Sequence, residues 1–222
     1  SYPGGTVTFL SAASWPTNAA LISEVAALFL PERVTAIDLT YNTGKWWKLY
    51  QPTWLLTNDL DPRYGQHHDD FRSTRWDNGT FDLVAFDPPY QSQGGRKTST
   101  INSMNDAYGR DLSAKTPAGN QEILNDGLTE AVRICAVDGF VLVKVMDYIS
   151  SGNLWLGCHH TLTHALTLPV TVEAIYTHVG SPGPQPKTNV DGTRRRQKHP
   201  RNNSSTLYAL KKHKTPTKEK KP

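Results

Sequence analysis

Cysteine is scarce in this chain: Cys135 and Cys158 are the only two among 222 residues, 23 positions apart and without a CxxC pair. That scarcity argues against a disulfide framework and against a cysteine zinc cage, and both thiols read as small buried hydrophobes. Long apolar runs are missing as well, and none approaches the length a membrane span requires. The opening "SYPGGTVTFLSAASWP" has neither a basic start nor a long apolar core. No secretory signal is expected there, and the expected location is cytoplasmic. No internal repeat and no strong domain boundary interrupts the chain. What is present, a hydrophobic share of 37% over 222 residues, suits one well-cored α/β unit.

Charge is unevenly spread. Residues 1–193 hold 13 Lys+Arg against 19 Asp+Glu, a net −6, whereas residues 194–222 hold 11 against 1, a net +10; together they give the overall +4. An acidic body with a concentrated basic end suits a polyanion-binding protein, because local positive charge captures phosphates whatever the total. Arginine and histidine are interleaved with the lysines, which favours nucleic acid over a merely solubilising end.

Hydrophobic spacing sets out the elements. "NAALISEVAALFLPERV" predicts an amphipathic helix, capped by Thr17 or Asn18 and closed near Pro31, feeding the apolar strand "VTAIDL". A strand "TWLLTND" follows from Thr53, and "FDLVAFD" is a later one. "NQEILNDGLTEAVRICAVDG" predicts a helix leading into the strand "GFVLVKVMDY" from Gly139, and another helix is expected near residues 153–166. "VTVEAIYTHV" and "SSTLYALKK" have no helical pattern between them, so they should pair as an antiparallel hairpin. The alternation predicts an α/β fold: a Rossmann-like, doubly wound, mostly parallel sheet with a C-terminal antiparallel hairpin. Residues 1–212 read as one domain. It carries a mobile or functional loop at 91–119, a basic hairpin loop at 180–204, and a basic flexible tail at 213–222.

In such sheets ligands bind beyond the carboxyl ends of the strands, near the point where strand order reverses. The "VTAIDL" strand ends in "DLTYNTGKWW", where Asp38 precedes Gly44 by six residues and Thr40, Asn42 and Thr43 are small enough to admit a ligand. Asp59, 21 residues beyond Asp38, stands about where an acid gripping ribose hydroxyls belongs. Asp69 and Asp70 of "HHDDFRS" precede the third strand, in a position suited to an adenine amino group. Successive acids also suit a ligand carrying positive charge. The "FDLVAFDPPY" stretch then places Asp87 at a buried strand's carboxyl end, with Pro88 and Pro89 stiffening the exit that presents Tyr90. Trp46 and Trp47 read as core aromatics. His160 and His164 at helical spacing, with Cys158 nearby, could form a metal clamp, but no other thiol or acid stands near in sequence and no metal is expected.

The order "DLTYNTG", "NDLDP", "DDF", "DPPY", "GFVLVKVMD" resembles the S-adenosylmethionine-dependent amino-methyltransferases of the DPPY type. These methylate exocyclic amines of adenine or cytosine in DNA, with relatives acting on RNA guanine. The resemblance spans roughly residues 15–212, and Asn42 stands where those loops usually carry a glycine. It implies the class I methyltransferase fold and S-adenosyl-L-methionine as cofactor. Asp38, Leu39, Thr40, Asn42, Gly44, Asp59, Leu60, Asp70, Phe71 and Asp87 would hold that cofactor. Asp87, Pro88, Pro89 and Tyr90 would be catalytic. An exocyclic amine is a poor nucleophile because its lone pair is delocalised into the ring. By the resemblance, Asp87 and the Pro88 carbonyl accept its two N–H bonds while Tyr90 stacks on the base.

A base inside a duplex would have to be flipped out to reach such a pocket. With no large recognition region between cofactor loop and DPPY, sequence reading falls to the 91–119 loop with Arg96 and Lys97 and to the basic hairpin loop with Arg194, Arg195, Arg196, Lys198 and Arg201, or else is slack. The leading expectation is a DNA methyltransferase acting on adenine N6 ahead of cytosine N4. The alternatives are an RNA methyltransferase using the same pocket and a non-catalytic nucleic-acid-binding relative. DNA is the expected partner ahead of RNA, and no membrane is involved.

Overall fold

The computed structural model describes residues 12–13, 15–89, 116–180, 191–193 and 203–214. Tyr90, the loop cations Arg96 and Lys97, and the cluster Arg194, Arg195, Arg196, Lys198 and Arg201 lie outside them. A helix, α1 (Asn18–Phe29), starts at Thr17, whose hydroxyl accepts from the Ala20 N–H at 3.1 Å. Its stripe of Leu21, Ile22, Val25 and Ala26 is buried. The chain then enters β1 (Thr35–Asp38), makes a 3-10 turn at Lys45–Lys48, and forms β2 (Trp54–Thr57) and β3 (Phe81–Phe86). Next come α2 (Pro117–Ile134), β4 (Cys135–Val145), β5 (Tyr148–Ser150), β6 (Asn153–Trp155), α3 (Gly157–Ala165), β7 (Val170–Val179) and β8 (Ser204–Lys212).

Six strands form one sheet in the order β2-β1-β3-β4-β8-β7, the first four parallel. β8 runs antiparallel to both its neighbours, so the expected C-terminal hairpin of β7 and β8 is present. Strand side chains alternate between two cores, as a period of two requires. Ile37, Val84, Phe86, Val141 and Val143 pack with Leu124, Leu128 and Ala131 of α2 on one face. Ala36, Leu83, Ala85 and Leu142 pack with Leu21, Ile22 and Val25 of α1 on the other. This is the doubly wound arrangement. The order reverses at β1, which has β2 on one side and β3 on the other, so the cleft between the carboxyl ends of β1 and β3 is the ligand position that topology favours.

Three boundaries differ from the sequence expectation. The 91–119 loop is too long: Thr116 caps α2 by accepting from the Gly119 N–H, and Pro117 opens the helix, where its missing N–H costs nothing. The helix then stops at Ile134 rather than running to residue 139, and Lys212 Nζ donates to the carbonyls of Arg133 (3.1 Å) and Cys135 (2.6 Å) at its end. Residues 153–155, expected to be helical, instead pair with 148–150 as a hairpin. Ser151 and Gly152 both have positive φ (49° and 85°), the two-residue turn geometry that suits paired strands. Among the described residues no helix is long and apolar enough to cross a membrane.

Candidate functional site

Asp38 is the last residue of β1 and Asp87 the first after β3, in adjacent parallel strands paired Asp38 with Ala85. Both acids line a cavity of about 270 Å3 together with Leu39, Thr40, Asn42, Asp59, Leu60 and Phe71. Of the residues expected to hold a cofactor, those eight thus lie around one space. Gly44 adjoins it through the turn, while Asp70 does not line it and instead grips Arg72 through a side-chain ion pair. Tyr41, Thr43, Lys45, Trp46, Asn18, Pro89 and Lys144 complete the wall.

Local chemistry explains the path of the loop after β1. The Leu39 N–H extends the ladder to the Ala85 carbonyl at 3.0 Å, and the Thr40 hydroxyl accepts from the Asp87 N–H at 2.9 Å. The two strand ends are thereby tied across the cleft. Asn42 holds a left-handed φ of 46°, which asparagine tolerates, and so does the work of the glycine the loop lacks. Its N–H donates to Asp59 Oδ2 at 2.8 Å, while Asp59 Oδ1 accepts from the Asp61 N–H at 3.0 Å. Gly44 takes φ 64°, and a Cβ there would meet the Tyr41 hydroxyl at 2.5 Å. Beneath the loop the fully buried Asn58 donates to the carbonyls of Leu39 and Asp69 and accepts from the Asp69 N–H. A buried amide with every group satisfied specifies one arrangement.

The acids differ in surroundings. Asp38 is buried, and loss of hydration raises its carboxyl to about 7, against the lowering effect of bonds from the Trp47 indole (2.7 Å, to Oδ2) and the Thr40 N–H (3.0 Å, to Oδ1). Burial also raises Asp59. Among the described residues Asp87 is held by Oδ2: Trp46 Nε1 donates to it at 3.3 Å and Lys144 Nζ lies 3.5 Å away. Asn120, in the first turn of α2, donates its Nδ2–H to the Pro89 carbonyl at 2.9 Å and fixes the chain as it leaves Asp87. Three carboxylates around one cleft fit a cationic ligand, and Asp38, desolvated and without a cation among the described residues, fits best where such a ligand brings one. Elsewhere, Trp155 stacks on His160, His164 pairs with the Thr129 hydroxyl and Cys158 Sγ with Thr206, so the three side chains weighed as a metal clamp are each engaged otherwise.

Sequence reasoning missed Lys144, Asn58, Asn120 and the indole donors. A lysine inside "GFVLVKVMD" is the one signal that could have been read, since a charge in an otherwise apolar strand demands a partner.

No protein-family model and no curated protein matches the chain by sequence. Solved structures match its fold. A SAM-dependent methyltransferase from Methanosarcina mazei is similar over 85% of this chain and 97% of its own, at 7% identity and a TM-score of 0.52. TrmN from Thermus thermophilus is similar over 87% of this chain and 48% of its own, at 11% identity and a TM-score of 0.50. An inferred rRNA methylase from Clostridium thermocellum is similar over 90% of this chain and 98% of its own, at 10% identity and a TM-score of 0.50. The chain has the class I methyltransferase fold.

Proposed function

We propose that the chain transfers the methyl group of S-adenosyl-L-methionine to an exocyclic amino group of a nucleic-acid base, adenine N6 in DNA before other targets. The observation that carries the proposal is Asp87: an acid at the carboxyl end of β3, followed by Pro88 and Pro89, facing the same cleft as the buried Asp38 at the fold's switch point. The fold shared with a SAM-dependent methyltransferase and an inferred rRNA methylase supports both the cofactor and a nucleic-acid substrate.

When bound, the cofactor supplies a methyl group on a sulfonium, an electrophile needing no metal. The chain's own residues do the rest. Asp38 offers the cation a carboxylate already held by two donors, and Asp59 and the Asn42 turn wall the same space. Asp87 Oδ1 accepts one N–H of the target amine and the Pro88 carbonyl the other, which turns the nitrogen lone pair out of conjugation and toward the methyl group. Tyr90, two residues on, stacks on the base. The bound cofactor would supply the methyl electrophile and keep the thioether sulfur, and Asp87, already accepting an N–H of the amine, would take the proton that nitrogen loses.

Incubation with isotopically labelled cofactor and either DNA or RNA, followed by nucleoside mass spectrometry, tests the reading. N6-methyladenine from DNA is the expected product. N4-methylcytosine, or methylated RNA, would move the substrate assignment. No label in either polymer would overturn it. Asp87→Ala should abolish transfer while cofactor binding survives, and activity within a few-fold of wild type would sink the mechanism.

A further inference from the structure

Trp46 and Trp47 are consecutive residues of the 3-10 turn Lys45–Lys48, and both side chains are buried in the core under α1. Packing alone does not account for what their indoles do. Trp47 Nε1 donates to Asp38 Oδ2 at 2.7 Å, and Trp46 Nε1 donates to Asp87 Oδ2 at 3.3 Å. Successive side chains of a 3-10 turn diverge by about 120°, so one turn can send two indoles to two different strand ends. Here those ends carry two of the cleft's three acids, Asp38 and Asp87. A phenylalanine would fill either space without donating; a buried indole must find an acceptor, and each of these finds a different carboxylate.

On Asp87 a second group, the Lys144 ammonium, approaches the same oxygen at 3.5 Å. Oδ1 accepts no hydrogen bond among the described residues. Among the described residues the carboxylate is thus anchored by one oxygen only.

The geometry points to Trp46 and Trp47 as paired positioning residues, one for each acid. Trp47 orients Asp38 toward the ligand it neutralises. Trp46, with Lys144, fixes Asp87 by Oδ2 so that Oδ1 is the atom presented to a substrate N–H. Because the indoles belong to one four-residue turn, the placements of the two acids are tied, and a cation drawn to Asp38 steadies the turn that holds Asp87. The role given to Asp87 rests on the function proposed above; the pairing of indoles with carboxylates does not.

Two measurements on the full chain separate these. Six tryptophans give six indole N–H signals in a nitrogen–proton correlation spectrum, and loss of one signal each in Trp46→Phe and Trp47→Phe assigns the pair. Asp38→Asn should move the Trp47 signal more than the Trp46 signal, and Asp87→Asn the reverse. Signals indifferent to both substitutions would overturn the pairing, whatever the enzyme does. In kinetics, Trp46→Phe should lower kcat about ten-fold or more with cofactor Kd within about two-fold, and Trp47→Phe should raise cofactor Kd about ten-fold with a smaller effect on kcat at saturating cofactor. Equal losses of both quantities in both variants would reduce the pair to core packing and overturn the assignment. Selective indole shifts in a protein that methylates no nucleic acid would uphold the pairing and overturn the function.

Discussion

Asp38 shows how much a single residue's surroundings can shift its chemistry. Its carboxyl is raised to about 7 by burial, from an ordinary 3.8. A folded-state value above the unfolded one means that the protonated form favours the fold: the contribution is complete below about pH 4 and is lost as pH rises through about 7. The ligand-free protein should therefore lose a few kcal/mol of stability between about pH 5 and pH 8 from this group, and Asp38→Asn should flatten that fall. A cationic ligand prefers the ionised carboxylate, so cofactor affinity should move the opposite way. It should tighten as pH climbs toward about 7 and level off above. Calorimetric titrations across that range check both halves, and an affinity that weakens with rising pH would remove Asp38 from the cation's site. The acid itself was legible in the sequence, because a carboxylate closing an apolar strand is conspicuous. Its partner Trp47 was not: a tryptophan beside a tryptophan reads as core, and it is core. Only the turn reveals that its N–H reaches a carboxylate.

At the scale of elements, the contact of α2 with β3 stands behind Asp87. Gly127 sits where the helix meets two rings, and a Cβ there would lie 2.5 Å from Phe86 Cζ and 2.6 Å from Phe71 Cδ2. Those rings are themselves edge-on, with centroids 5.1 Å apart, and Phe71 lines the cleft. Gly127→Ala gains up to about 1 kcal/mol of helix propensity but forces this packing apart, for which about 1–3 kcal/mol is the usual cost, so a net loss is expected. Urea denaturation measures it; a raised midpoint would mean that both rings give way freely. Element order and type were readable because apolar runs bounded by turn residues admit few alternatives. The start of α2 was hidden by its composition, since Thr116 and Pro117 end a stretch of small polar residues. The β5–β6 hairpin was hidden because "YISSGNLW" offers only two side chains a side to reveal its period, and the left-handed pair Ser151 and Gly152 leaves no mark distinguishing a hairpin from a loop.

Over the whole molecule the charge division of −6 and +10 becomes a spatial question, because nine of the eleven basic residues in 194–222 fall into two groups on either side of β8, which itself carries Lys211 and Lys212. Arg194, Arg195, Arg196, Lys198 and Arg201 lie between strands whose ends are closed on each other: Val179 pairs with Ser204, and the Gly180 N–H donates to the Asn203 carbonyl at 2.8 Å. Lys214, Lys218, Lys220 and Lys221 follow His213, whose N–H to the Pro169 carbonyl is the last backbone tie to the sheet among the described residues. A segment anchored at both ends has fewer conformations to surrender on binding than the same segment would have unanchored. Each phosphate contact made with duplex DNA steepens the slope of log affinity against log salt by about 0.9. If charge count alone governed binding, replacing the five loop cations by Ser and deleting residues 214–222, which removes four, would flatten that slope almost equally. With the anchored segment as the phosphate-binding element, the Ser variant should flatten it far more while leaving cofactor affinity unchanged. A salt series on wild type and both variants decides between them. A Ser variant with the wild-type slope would leave the cluster a solvated surface and move substrate capture elsewhere on the carboxyl edge.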